Sequence, residues 1–159
     1  MLASYVRKWI EINGVPQKVK DIVDYCIRKE NGKVFINMDE STITTMVTYH
    51  LLKKTLSVIY KGNEIVGVHM WYNCDYTDDF SFILNWEEDK KDGDTIFIAF
   101  LFAEDDDAMI ELLHDFIDKE PDMLVKKLKA IRGKQEIDVS RKWFTKVLKR
   151  RNYGKRYNN

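Results

Sequence analysis

The stretch Leu56-Ser-Val-Ile-Tyr-Lys-Gly-Asn-Glu-Ile-Val-Gly-Val-His-Met-Trp-Tyr72 holds two β-rich runs, Leu56–Tyr60 and Ile65–Tyr72. They are joined by Lys61-Gly62-Asn63-Glu64, a short glycine-bearing link, and this is the clearest hairpin in the chain. Downstream, Phe80–Trp86 reads as a third strand and Thr95–Phe102 as a fourth. The fourth is nearly all apolar, which predicts burial on both faces. Between them Glu87–Asp94 is charged and closes on the turn Asp92-Gly93-Asp94. Upstream, Asp39-Glu40-Ser41 offers caps for a helix whose inner face is Ile43, Met46, Val47, His50 and Leu51. Before it, Val15-Pro16 opens a helix with Val19, Ile22, Val23, Cys26 and Ile27 at helical spacing. Asn31-Gly32 ends that helix, and Val34-Phe35-Ile36 follows as a short strand.

Beyond the fourth strand, Asp105–Lys119 reads as a helix with Met109, Ile110, Leu112, Leu113, Phe116 and Ile117 as its apolar stripe. Pro121 marks its end. Met123–Ile131 fits either a helix or a basic edge strand. Ser140 caps a last helix to about Asn152 that buries Trp143, Phe144, Val147 and Leu148, with Gly154 as a stop. The order of elements predicts an α+β domain with a mostly antiparallel central sheet flanked by helices.

A chain of 159 residues suits a single domain, 1–159. Residues 1–54 supply N-terminal helices and a short strand, and 55–159 the sheet, a central helix and a basic C-terminal helix. With 45% hydrophobic and 33% charged residues, 7 Gly and 2 Pro, the composition excludes disordered and collagenous classes. No apolar run approaches the roughly 20 residues of a membrane span. The start, Met-Leu-Ala-Ser-Tyr-Val-Arg-Lys-Trp9, lacks the pattern of a signal peptide, so a cytoplasmic setting is expected. Cys26 and Cys74 match neither a metal finger nor a disulfide framework.

The formal charge is zero, yet it is segregated. Residues 1–60 carry 9 Lys/Arg and 6 Asp/Glu, residues 61–125 carry 4 and 18, and residues 126–159 carry 13 and 2. An acidic middle of −14 and a basic end of +11 permit several readings. The end folds back on the middle, like subunits pair acid to base, or the end contacts nucleic acid or another macromolecule. The candidate partner-binding residues are Arg141, Lys142, Lys149, Arg150, Arg151, Lys155 and Arg156 on the basic side, and Glu87, Glu88 and Asp89 on the acidic loop. Rings interleaved with the basic residues are the composition of a base-stacking surface, but only Tyr153 and Tyr157 are left for that role once Trp143 faces the core.

Catalytic signatures are sparse. No Gly-x-Ser-x-Gly elbow, phosphate loop or dinucleotide fingerprint occurs. Cys26 falls on a buried helical stripe, and Asp75 beside Cys74 disfavours a thiolate. His50, His69 and His114 are isolated, and Asp78-Asp79 and Glu87-Glu88-Asp89 lack cation-loop spacing. No metal and no cofactor is expected.

From Thr55 to Tyr157 the chain resembles the GCN5-related N-acetyltransferase fold. Leu56–Val68 is similar to that family's early hairpin. Thr95–Phe102 with the helix from Asp105 resembles its central strand and the helix that receives coenzyme A. Arg141–Gly154 is similar to its closing helix. The resemblance implies an acetyltransferase-like sheet, and a late tyrosine near Tyr153 or Tyr157. Active members bind pyrophosphate on an Arg/Gln-x-x-Gly-x-Gly/Ala loop at a helix N-terminus. Here the position reads Ala103-Glu-Asp-Asp-Asp-Ala108, with four acids and no glycine. Two unit charges 4 Å apart repel by about 4 kcal/mol at an effective dielectric near 20, so these acids oppose a docked anion. They suit a helix cap instead. The chain thus resembles acetyltransferase-like proteins that some bacteriophages carry as virion or assembly components. That resemblance implies a non-catalytic structural protein, met in the host cytoplasm and then in the virion, whose partners are protein subunits, including its own copies in a ring. The alternatives are an acyl-coenzyme-A-dependent N-acetyltransferase with an atypical loop and a nucleic-acid-binding accessory protein; no membrane partner is expected.

Overall fold

The hairpin forms where its sequence predicts, as β1 (Leu56–Lys61) and β2 (Glu64–Cys74), with Gly62 at φ +64° in the turn. Leu56 pairs with Met70, Ser57 with His69 and Val58 with Val68. The computed structural model describes residues 2–30, 39–76, 91–132, 135–139 and 141–158, with the backbone alone at 2, 30, 131, 132, 135, 136 and 150–158. β3 (Thr95–Ala103) pairs antiparallel with β2, β4 (Lys127–Arg132) lies parallel to β3, and β5 (Gln135–Asp138) closes the sheet antiparallel to β4. Among the described residues the order across the sheet is β1-β2-β3-β4-β5, with β1 and β5 outermost. The class is α+β, and three of the four pairings are antiparallel.

Helices cover both faces. α1 (Leu2–Asn13), α2 (Gln17–Glu30) and α3 (Glu40–Lys53) pack on one side. There Val6, Ile22, Cys26, Met46 and Val47 meet Val68, Met70 and Tyr72 of β2. α4 (Asp106–Lys119) and α5 (Arg141–Asn158) cover the other. There Trp71 and Ile96 meet Leu113, Phe116, Phe144 and Val147. Alternate residues of β2 therefore enter two different cores, and the strand is buried from Val66 to Cys74. Each fully buried large side chain contributes roughly 1.5–3 kcal/mol. No helix among the described residues is long and apolar enough to cross a membrane.

Several local signals act as expected. Asp39 caps α3 by accepting from Thr42 N at 2.7 Å. Pro16 directly precedes α2. Four findings depart from the periodicity reading. α1 forms ahead of Pro16, because Ala3, Val6 and Ile10 give it a narrow apolar line against the other helices. Met123–Ile131 divides: Pro121–Leu124 is a 3-10 turn, and the strand starts at Lys127, where pairing with Thr95 fixes it. β5 forms on the outside of β4. Gly154 does not stop α5, which runs to Asn158. The expected Asn31-Gly32 stop, the Val34–Ile36 and Phe80–Trp86 strands and the Ser140 cap lie outside the described residues.

Candidate docking surfaces

α5 is fixed to the sheet by a narrow apolar line. Phe144 and Val147 are buried, and the Phe144 ring stands 6.2 Å from that of Phe116. Trp143 lies one position off this line and is 39% exposed, where the sequence reading buried it. A helix turns about 100° per residue, which puts Trp143 at the rim of the face centred between Phe144 and Val147. Trp143 instead lines a shallow depression with Glu104, Asp105, Asp106 and Val147.

The basic candidates separate by orientation. Arg141 is exposed, but its guanidinium lies along its own chain, donating from Nε to Leu124 O at 3.1 Å and also to the carbonyls of Met123 and Lys126. It anchors the start of α5 to the segment that leads into β4. Lys142 and Lys149 are exposed, and Lys146 between them is exposed too. The spacing i, i+4, i+7 puts the three ammonium groups on one outward stripe. Among the described residues, no carboxylate forms an ion pair with any of them. Arg150, Arg151, Lys155 and Arg156 continue the helix, with side chains outside the described set, and Glu87, Glu88 and Asp89 lie outside it altogether.

The acidic turn before α4 is exposed from Glu104 to Asp107. Asp105 is the N-cap, extended at φ −148° and ψ 173°, and accepts from Ala108 N at 2.8 Å. Glu104 pairs with Lys29 at 2.7 Å. The chain's own carboxylate thus takes an amide at the helix N-terminus. Asp106 and Asp107 add charge that favours the dipole there. An acidic patch and a basic stripe therefore stand on adjacent helices, α4 and α5.

A polar cluster lies under β1 and α4. Ser57 Oγ donates to Asp115, Lys119 Nζ pairs with Asp115 at 2.8 Å, and the same ammonium donates to Leu56 O at 2.7 Å. His69 faces Ser57 across the hairpin, fully buried, with neither ring nitrogen hydrogen-bonded among the described residues. Its ring lies 4.7 Å from Phe116 and 4.8 Å from Trp71. Burial holds its pKa down at about 3, against the opposing pull of the Asp115 carboxylate. His50 is also buried, with Nδ1 2.8 Å from Thr55 Oγ1, and desolvation lowers its pKa to about 3. Ser57 is wholly inaccessible and its hydroxyl is held by Asp115, so this arrangement is a structural tie between α4 and the hairpin. Sequence could reveal the Asp115–Lys119 spacing at i, i+4, but Ser57 is 58 positions from Asp115 and gives no local signal.

Cys26 and Cys74 are buried thiols and are not joined in a disulfide. No three His, Cys, Asp or Glu side chains gather as a metal site among the described residues. No protein-family model matches the chain, and no curated protein matches it.

Proposed function

We propose that this chain is a non-catalytic docking subunit that assembles with protein subunits, copies of itself included, through charged surfaces. The observation that supports it is the outward stripe of Lys142, Lys146 and Lys149 on a helix whose opposite side is fixed in the core. The exposed turn Glu104–Asp107 is its complement in charge, and acid-to-base contact between copies is heterologous, the type that closes rings. A bacteriophage particle as the setting rests on the sequence resemblance. The triple variant Lys142→Glu, Lys146→Glu, Lys149→Glu is expected to abolish low-salt self-association while leaving thermal unfolding of the monomer unchanged. Combining it with Asp106→Lys and Asp107→Lys should restore association. Unchanged association in the triple variant would refute the reading.

A second reading, acyl-coenzyme-A binding, draws on one feature of the sheet. The β3–β4 ladder stops at Ile98 and Ala130, although the strands run on to Ala103 and Arg132. Strands that part beside a helix N-terminus leave main-chain groups for a ligand. Against it stand the Asp105 cap and the neighbouring acids. Acetyl-coenzyme A at 100 times its dissociation constant would stabilise by about 2.7 kcal/mol, or roughly 5–10 °C. The docking reading predicts no shift.

A further inference from the structure

His69 is completely enclosed, yet among the described residues neither of its ring nitrogens has a hydrogen-bond partner. A neutral imidazole can donate from one nitrogen and accept at the other. This ring does neither, and packing alone holds it. Phe116 of α4 stands edge-on to it at 4.7 Å, and Trp71 of β2 lies 4.8 Å away. Opposite it on the neighbouring strands are Ser57 of β1 and Leu101 of β3.

The charged and titratable groups that act on His69 are Asp115 and Lys119 of α4 and His50 of α3. Asp115 is the carboxylate that could hold an imidazolium, but it is already engaged. It accepts from the Ser57 hydroxyl and pairs with the Lys119 ammonium, which also donates to Leu56 O. A proton on His69 therefore meets an occupied acceptor and a nearby positive charge. The same three side chains that exclude the proton tie α4 to the hairpin.

The other face of β2 does not depend on that tie. Val68, Met70 and Tyr72 lie in the core beneath α1, α2 and α3, while Trp71 and Phe116 belong to the core on the α4 side. α4 can thus lift from the hairpin and uncover His69 while the first core stays closed. α5 is packed on α4 through Phe144 and Phe116, so the two helices move together.

We infer that the contact between α4 and the hairpin is an acid-operated latch with His69 as its sensor. When the ring takes up a proton, Asp115 and Lys119 release Ser57 and Leu56 O, and α4 lifts from β1 and β2. The helices that move carry the charged surfaces proposed above, but the latch does not rest on their docking.

The test is amide hydrogen exchange of the full chain at pH 7.5 and pH 5.0, in high salt, with intrinsic rates corrected. The exposed ring titrates near 6.5 and the enclosed one at about 3, so α4 should open roughly 30-fold more often at pH 5.0. Amides of Leu112 to Phe116 should lose protection by that factor. Their exchange at pH 5.0 should respond weakly to low urea, and that of Ile22 to Cys26 in α2 steeply, because the latch exposes less surface than unfolding. His69→Phe should remove the change between the two pH values, and His50→Gln should retain it. Lys119→Gln, at an exposed position, should shrink it, since Asp115 can then hold the imidazolium in place. Equal urea responses in α4 and α2 at pH 5.0, or the full 30-fold change in either His69→Phe or Lys119→Gln, would overturn the inference.

Discussion

Gly93 shows how much one residue can control. A Cβ there would lie 2.4 Å from the carbonyl oxygen of Cys74 and 2.5 Å from its carbonyl carbon. Main chain cannot move aside as a flexible side chain does, so Gly93→Ala should destabilise by about 1–3 kcal/mol in urea unfolding. An unchanged midpoint would contradict this close approach. Histidine burial gives a second residue-scale expectation. His50 and His69 titrate at about 3 when folded against 6.5 in the free side chain. The unfolded chain therefore binds more protons below pH 6.5, and stability is lost as pH falls from 6.5 towards 3. Each histidine removes about 2 kcal/mol between pH 7 and pH 5. His69→Phe should halve that dependence, and an unaltered pH slope would refute the assignment. The sequence places His50 on the inner face of its helix, but gives no sign that His69 lies between Trp71 and Phe116.

At the scale of elements, the helix caps carry local information that reads directly from the sequence. Asp39 and Asp105 both accept from an amide three residues on. Asp105→Ala should cost about 1 kcal/mol, measured by urea unfolding. A loss below a few tenths would mean that the cap is replaced by its neighbours. Strands were legible where alternation or continuous apolarity is strong, as in β1, β2 and β3. β4 was ambiguous because Leu128, Ala130 and their lysines fit two periods, and only the long-range pairing of Thr95 with Lys127 decides. β5 has four residues, Gln135–Asp138, and borrows its order from β4. α1 has a weak signature in the sequence for a related reason. Its buried side is small, and it takes its place from α3 rather than from its own pattern. Trp143 misled because an aromatic residue beside Phe144 reads as core, whereas the inner line has room for Phe144 and Val147.

Across the whole molecule, segregation of charge along the chain becomes segregation on adjacent helices. The candidate surface was legible in part: the basic end was plain from composition, and Lys142 and Lys149 stand exposed. Composition does not report direction, however, and Arg141 spends its guanidinium on three carbonyls of its own chain. Nor does it show that an acidic turn lies close to Trp143. Formal neutrality with patches of opposite sign favours association that salt weakens, since exposed charges more than about 10 Å apart are screened at 0.1 M. The most direct measurement is sedimentation velocity of the unmodified chain at 50 mM and 500 mM salt over a range of protein concentrations. The docking account predicts a species larger than the monomer at low salt that grows with concentration and dissolves at high salt. A monomer under every condition would contradict assembly of the chain with itself through these surfaces.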